Sequence, residues 1–162
     1  MSLALLRLAD VYLMYAEAVS EGYGSPTAKV AGYDKSAVDA INILRDRAGV
    51  GRVAAKFIAS QNAFRSEYRR ERAVELAFEG HRFVDLRRWL LLTQRPYTLK
   101  KSVEFNRATP NAQVYADPRN ARVSNFREAS LFERQFTDKH YWFPFQVKDV
   151  NLYAEFNQNP GW

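Results

Sequence analysis

The sequence predicts an all-α protein built from helix-turn-helix pairs of the tetratricopeptide (TPR) type, followed by a long irregular loop region and an extended C-terminal tail. Three observations support this fold class. Apolar residues of the first half recur at helical spacing, glycines follow the periodic segments, and the periodicity disappears from Gln94 onward. The length of 162 residues fits one domain, 1–162. Within it we expect residues 1–93 to be helical and residues 94–162 to be mostly irregular.

The first helix is expected over residues 3–21. Its polar side chains fall in one sector of a helical projection, whereas the other positions are apolar or small. This pattern predicts a helix covered on more than one side, and Ala9 and Ala16 would let a neighbour approach closely. Gly22 and Gly24 end the segment, because glycine readily adopts the conformation that closes a helix.

The second helix is expected over residues 36–48. Ser36 and Asp39 have the spacing of a capping box, with aspartate in place of the usual glutamate or glutamine. Gly49 follows the last apolar position and is well placed to end the helix. Together with the first helix, this segment forms the predicted helix-turn-helix pair.

Two more helices are expected over residues 58–79 and 81–92, with Gly80 between them. Beyond the last helix no sustained periodicity remains. Residues 97–99 and 112–115 are candidates for short strands, which we expect to form one hairpin.

Composition and charge exclude several classes of function. The formal net charge is +6, but the basic residues are spread along the chain beside acids, so nucleic-acid binding is not expected. The absence of cysteine excludes disulfides, thiol catalysis and cysteine zinc sites. No apolar run approaches the roughly 20 residues of a membrane-spanning helix.

Residues 1–3 resemble the leader that an expression vector adds, and the expected first helix begins directly after them. We therefore expect the chain to be a fragment or truncated product of a longer protein.

Glutamates recur at every fourth residue from Glu67 to Glu79 and therefore lie along one helical stripe. Like charges at this spacing repel, so the stripe needs cations, for which Arg45 and Arg47 are candidates. One hypothesis is a catalytic carboxylate pair, Glu75 and Glu79, as in glycoside hydrolysis. We favour a structural ion network, because abundant arginines lower carboxyl pKa values whereas a general acid needs a raised pKa. The predicted members are Glu71, Glu75, Glu79, Arg82, Asp85, Arg87 and Arg88.

The two histidines, His81 and His140, do not form a recognisable catalytic or metal-binding pattern. His81 and Asp85 have helical spacing that would let both touch a metal, but we favour a local hydrogen bond. Neither a Gly-x-Ser-x-Gly turn nor a glycine-rich phosphate loop is present. We therefore predict no catalytic residue, no metal site and no cofactor.

Aromatic residues are abundant, with nine Tyr, eleven Phe and three Trp. Sugars commonly stack on such rings, because the C–H face of a sugar is apolar. Rings on the expected helices are assigned to the core. The remaining candidates for ligand contact are Tyr97, Tyr115 and Tyr153.

Four blocks of sequence carry a resemblance to a known family. They are residues 6–18 (LRLADVYLMYAEA), 37–49 (AVDAINILRDRAG), 71–89 (ERAVELAFEGHRFVDLRRW) and 140–162 (HYWFPFQVKDVNLYAEFNQNPGW). The chain resembles the C-terminal part of the SusD/RagB family of outer-membrane nutrient-binding lipoproteins from Bacteroidetes. It departs from the family pattern at three places: Ala73 replaces arginine, Gln146 replaces a second proline, and Tyr153-Ala154 replaces Asn-Pro.

The resemblance implies a predominantly helical, TPR-like fold with long irregular insertions. It implies a non-enzymatic protein that binds glycans or other nutrients at the cell surface and covers a SusC-like TonB-dependent transporter in the outer membrane. Family members are considerably longer and are anchored by a lipidated cysteine, which this chain lacks. We therefore expect the chain itself to be soluble. The alternative is a TPR-like scaffold that docks on the transporter without touching the ligand. The matching blocks imply no ligand-binding residue.

Overall fold

The computed structural model describes residues 6–162, so the first residues of the expected first helix lie outside the described part. The chain forms two compact units, Met1–Arg82 (unit 1) and Phe83–Trp162 (unit 2). Unit 1 is helical. Unit 2 combines short helices with a two-stranded antiparallel sheet, so the chain is mostly helical rather than all-α.

Unit 1 begins with the predicted helix pair, α1 (Leu8–Tyr23) and α2 (Ala37–Ala48), which pack against each other. α1 ends at Gly24, whose φ of 68° is favourable for glycine. At the start of α2, the Ser36 hydroxyl accepts from the Asp39 amide, and the Asp39 carboxylate accepts from the Ser36 amide at 2.9 Å. Both reciprocal bonds of a capping box are therefore present.

The expected helix over residues 58–79 is divided into α3 (Ala55–Ile58) and α4 (Gln61–Glu75). The break occurs because the Ser60 hydroxyl accepts from the Ala63 amide at 3.1 Å and so starts a new helix. α4 ends earlier than expected, and the chain reaches Gly80 (φ 83°) through a turn rather than a continued helix.

The next helix, α5 (His81–Arg88), is also shorter than the expected 81–92. It closes with the two hydrogen bonds of a Schellman motif, from the Leu91 amide to the Leu86 carbonyl at 2.8 Å and from the Leu90 amide to the Arg87 carbonyl at 3.0 Å. Leu90 takes the left-handed position of that motif (φ 56°), which is normally held by glycine. The usual glycine signal for a helix end is therefore missing from the sequence.

The core of unit 1 lies where α1 contacts α2 and α4. Ala9 and Ala16 are buried, as their small size suggested for a closely packed helix. Phe64 and Tyr68 of α4 are fully buried, and their rings meet edge to face at 6.0 Å. This packing positions the polar side of α4 that carries the glutamates.

Unit 2 contains the largest difference from the sequence prediction. Strands β1 (Leu99–Arg107) and β2 (Val123–Glu133) form a long antiparallel hairpin in the segment expected to be mostly irregular. Residues 112–115, a candidate strand, instead lie in the short helix α6 (Asn111–Ala116) between the strands. Nearly every strand residue is exposed, so the hairpin has no buried face to impose an apolar alternation.

The core of unit 2 is formed by Leu86, Leu91 and Leu92, against which the side chains of Trp89, Tyr97, Phe136 and Tyr141 pack. The tail contains a short helix, α7 (Val147–Val150), and then turns back on itself. The Gln158 side chain accepts from the Phe145 amide at 2.7 Å and donates to the Phe145 carbonyl at 2.9 Å, as a neighbouring strand would. These bonds hold the extended tail in place.

Candidate functional site

The glutamate stripe of α4 lies against arginines of α2 and of α4 itself. Glu67 is 1% exposed, and its carboxylate is 3.2 Å from the Arg45 guanidinium and 2.8 Å from that of Arg70. Glu71 has longer contacts with the same two arginines, 3.5 Å to Arg45 and 3.4 Å to Arg70. The repulsion between neighbouring glutamates is thus offset by cations from two helices.

The next two glutamates share Arg7, which precedes α1. The Arg7 guanidinium donates to Glu75 at 3.0 Å and to Glu79 at 2.7 Å, and Arg47 donates to Glu75 at 2.6 Å. These contacts join the start of α1, the end of α2 and the end of α4. Both carboxylates proposed as a catalytic pair are therefore engaged in charge-assisted hydrogen bonds.

A second ion pair lies deeper in unit 1. The Arg72 guanidinium donates to the Asp10 carboxylate at 2.5 Å, and both side chains are less than a tenth exposed. The His81 ring nitrogen Nδ1 lies 3.5 Å from Arg72. Within residues 6–162 no group of three or more metal-ligating side chains is found.

The pKa values distinguish the glutamates of the stripe. The hydrogen bond from Arg70 holds the pKa of Glu67 below its usual value. Burial on its own would raise the pKa of Glu75, but the hydrogen bonds from Arg47 and Arg7 outweigh it and leave the pKa lowered. Burial raises the pKa of Glu71 despite its arginine neighbours. The expectation that abundant arginines lower the carboxyl pKa values is wrong for Glu71, because burial outweighs the charges of Arg45 and Arg70, whose contacts with Glu71 are long.

The remaining predicted network members are Arg82, in unit 1, and three residues of unit 2. Arg82 is exposed and is the last residue of unit 1. In unit 2 Arg88 donates to Asp85 at 2.9 Å. Arg87 donates to the Tyr141 carbonyl at 3.0 Å, and its guanidinium stacks on the Phe143 ring at 3.9 Å. Arg87 thus holds the tail segment of unit 2.

The three candidate tyrosines differ in environment. Tyr97 is half-buried and packs against the leucine core of unit 2. Tyr115 of α6 is 80% exposed, and Tyr153 of the tail is 68% exposed. The last two therefore present a ring face to solvent, whereas Tyr97 belongs largely to the core.

Two grooves of unit 2 carry exposed aromatic rings. The tail groove has a volume of about 540 Å³. It is lined by Val150, Asn151, Tyr153, Ala154, Phe156, Asn157 and Gln158. The hairpin groove, of about 510 Å³, is lined by Glu104, Phe105, Asn106, Asn125, Phe126 and Arg127.

Sequence reasoning missed the rings of the hairpin groove. Phe105 and Phe126 are each more than half exposed. Val103 and Phe105 do alternate with polar residues, and this was the available signal for a strand. It extends over too few residues to be distinguished from the surrounding irregular pattern.

No helix of the described segment combines the length and the apolar character needed to cross a lipid bilayer. No curated protein matches the sequence. The chain is similar in structure to a SusD-like protein from Bacteroides fragilis NCTC 9343, with 27% identity and a TM-score of 0.66 over 97% of this chain and 25% of that protein. A protein named BT4246 is similar in fold, with 24% identity and a TM-score of 0.62 over 98% of this chain and 23% of that one.

The chain therefore spans about a quarter of the length of these two solved proteins. The model of the SusD family matches it over residues 1–162. This match includes the glutamate stripe of unit 1 and both grooves of unit 2. The chain belongs to the SusD family, also called SusD/RagB.

Proposed function

We propose that the protein is a non-catalytic, nutrient-binding component of an outer-membrane uptake system of the SusC/SusD type, and that its nutrient is a glycan. The family match along the whole chain carries this proposal. The protein would act at the cell surface with a SusC-like TonB-dependent transporter as its partner and without a cofactor. Because the chain spans a quarter of its solved relatives, the activity is proposed for the whole encoded protein.

The surface chemistry of unit 2 supports a binding role. Its grooves combine exposed rings with carboxamides, such as Tyr153 beside Asn157 and Phe105 beside Asn106. Rings bind the apolar face of a sugar, and carboxamides both donate and accept hydrogen bonds as hydroxyl groups do. Such a combination suits a polyhydroxylated ligand.

The ion contacts of unit 1 support a non-catalytic role. A glycosidase general acid needs a raised pKa and access to substrate. Glu75 has a lowered pKa and is bound by Arg7 and Arg47. Glu71 has the raised pKa but is only 9% exposed, so it is out of reach of a polysaccharide.

The proposal is tested by calorimetric titration of the whole encoded protein with a panel of oligosaccharides and peptides. We expect saturable binding of at least one oligosaccharide, with no release of reducing sugar during prolonged incubation. If no oligosaccharide binds, or if only peptides bind, the assignment of a glycan as the nutrient is overturned. Hydrolysis lost in Glu75→Gln at unchanged thermal stability would overturn the non-catalytic assignment.

A second candidate function is a TPR-like scaffold that docks on the transporter without touching the ligand. One observation favours it: α1 exposes the large apolar side chains of Leu8, Val11 and Met14, each by more than two fifths. Co-purification with the outer-membrane barrel should then be lost in Leu8→Arg with Met14→Arg, while glycan titrations of the double variant stay unchanged. Retained co-purification would count against this candidate.

A further inference from the structure

We propose that the tail groove of unit 2 is a saccharide subsite for a neutral oligosaccharide, with the Tyr153 ring as its stacking platform. This inference rests on the proposed glycan-binding function and specifies where on this chain, and with which chemical class, the contact is made.

None of the described residues that line the tail groove has a charged side chain. In a chain in which 26% of residues are charged, its polar side-chain groups are instead the Tyr153 hydroxyl and the three carboxamides of Asn151, Asn157 and Gln158. An anionic ligand would find no cation here, and a cationic ligand no carboxylate. A neutral ligand rich in hydroxyl groups finds partners that both donate and accept.

The rings of the groove are held by local contacts. The Phe156 amide donates to the Tyr153 carbonyl at 3.1 Å, and this turn brings both rings to the same groove. Phe156 also packs on Phe145, with ring centroids 4.8 Å apart, and the Gln158 side chain binds the Phe145 backbone on both sides. The groove is therefore largely formed before a ligand arrives, which lowers the entropy cost of binding.

Polar groups remain available once these contacts are made. Gln158 is used in holding the tail, and Asn157 donates one amide hydrogen to the Glu155 carbonyl at 3.3 Å. Asn157 retains its side-chain oxygen and its second amide hydrogen for a ligand. The volume of about 540 Å³ is within the range of small-ligand sites, roughly 300–1,000 Å³.

Two other grooves are less suitable for a neutral ligand. The hairpin groove contains the Arg127–Glu104 ion pair at 2.9 Å. A groove beside α2 in unit 1 is dominated by charged residues, namely Lys29, Asp34, Lys35, Asp39, Asp46 and Arg52. A neutral ligand entering either groove would displace water from charges without replacing their solvation. The tail groove carries no such cost.

The test uses the whole encoded protein and hexameric probes. The neutral probes are maltohexaose, cellohexaose, xylohexaose and mannohexaose, and the anionic probe is hexagalacturonate. For the neutral probe that binds most tightly, we expect Tyr153→Ala to weaken the affinity about tenfold or more in calorimetry. Tyr153→Phe retains the ring and should remain within about twofold of wild type.

Leu152→Ala is the matched control, because Leu152 is the chain neighbour of Tyr153 and is likewise 68% exposed but does not line the groove. It should bind the same probe as wild type does. Circular dichroism and thermal unfolding verify that each variant is folded, as expected for side chains exposed by two thirds or more.

The outcomes distinguish the subsite from the function. If a neutral probe binds wild type and Tyr153→Ala equally well, the subsite is overturned and the proposed function stands. If hexagalacturonate binds in preference and its binding is lost in Tyr153→Ala, the neutral ligand class is overturned. If no probe binds wild type, the glycan-binding function fails and the subsite with it.

Discussion

Unit 1 and unit 2 place their charged and aromatic side chains in opposite ways. In unit 1 the carboxylates of α4 lie under arginines, and Phe64 and Tyr68 are fully buried. In unit 2 the rings of Phe105, Phe126 and Tyr153 are each more than half exposed. The buried groups of unit 1, such as Phe64, Tyr68 and Glu67, are out of reach of a ligand, whereas we expect the exposed rings of unit 2 to contribute less to stability. Stability and recognition are therefore separable by mutation.

The largest expected difference comes from the same substitution made in each unit. Phe64→Ala removes a fully buried ring and should lower the free energy of unfolding by about 3–5 kcal/mol. Phe105→Ala removes a ring that is 52% exposed and should cost below about 1 kcal/mol. Urea unfolding followed by circular dichroism measures both. If both variants lose the same unfolding free energy, the hairpin rings are buried in solution and the two units do not differ in this respect.

The buried Arg72–Asp10 pair should have the next largest effect. Asp10→Asn removes the negative charge that faces the buried Arg72 guanidinium at 2.5 Å, and we expect a loss of about 3 kcal/mol in unfolding free energy. The control is Asp34→Asn, because Asp34 pairs with Lys35 at 3.1 Å but is 77% exposed. It should change stability by less than about 0.5 kcal/mol. Similar losses in the two variants would contradict the assignment of stability to burial.

Two neighbouring glutamates should respond to pH in opposite directions. Glu75 has a lowered pKa, so its ionised form stabilises the fold above the ordinary value of 4.5, and this contribution is lost as pH falls through the lowered folded-state pKa. Glu75→Gln should therefore cost about 2 kcal/mol at neutral pH and progressively less in acid.

Glu71 provides the matched comparison. Because burial raises its pKa, its ionisation weakens the fold as pH rises from 4.5 through the raised value. Glu71→Gln should be at least as stable as wild type at neutral pH, and the difference should shrink in acid. Urea unfolding of both variants between about pH 3 and pH 8 measures the two trends. If Glu71→Gln lowers the unfolding free energy at neutral pH by as much as Glu75→Gln does, the raised pKa of Glu71 is contradicted.

The smallest effect is expected at the surface of unit 2. Lys101 and Glu128 pair across the hairpin at 2.7 Å, but both side chains are 48% exposed. Lys101→Ala should change the unfolding free energy by less than about 0.5 kcal/mol, and the change should diminish further at high salt. Thermal unfolding at low and high ionic strength is the measurement. A change as large as that of Asp10→Asn would mean that surface charges stabilise unit 2.

The helical part of the fold was largely predictable from the sequence because its signals are local. The capping box at Ser36 and the glycines Gly24 and Gly49 act within one helical turn of their own position. Two of the missed helix boundaries have equally specific reasons. Ser60 starts α4 inside an apparently continuous pattern, and Leu90 occupies a position where glycine is the usual signal.

The candidate site was predictable only in part. The i+4 spacing placed the glutamates on one stripe and indicated Arg45 and Arg47 as neighbours, but it could not identify Arg7 as the residue that bonds to both Glu75 and Glu79. Arg7 is distant in sequence, and only helix packing brings it there. Spacing also could not separate Glu71 from the other glutamates, because its raised pKa depends on burial and on contact lengths.

The sequence by itself determined the family, the helix pair of unit 1 and the residue types available for binding, because these depend on motifs and on spacing along one chain. The tertiary structure decided which of these residues a ligand can reach. It showed a hairpin that is longer than the expected one and uses a different second strand, since a strand pair with both faces exposed leaves little apolar pattern. It also separated Tyr153, exposed in a groove without charge, from Tyr97, packed on a core, because exposure is a property of the folded surface.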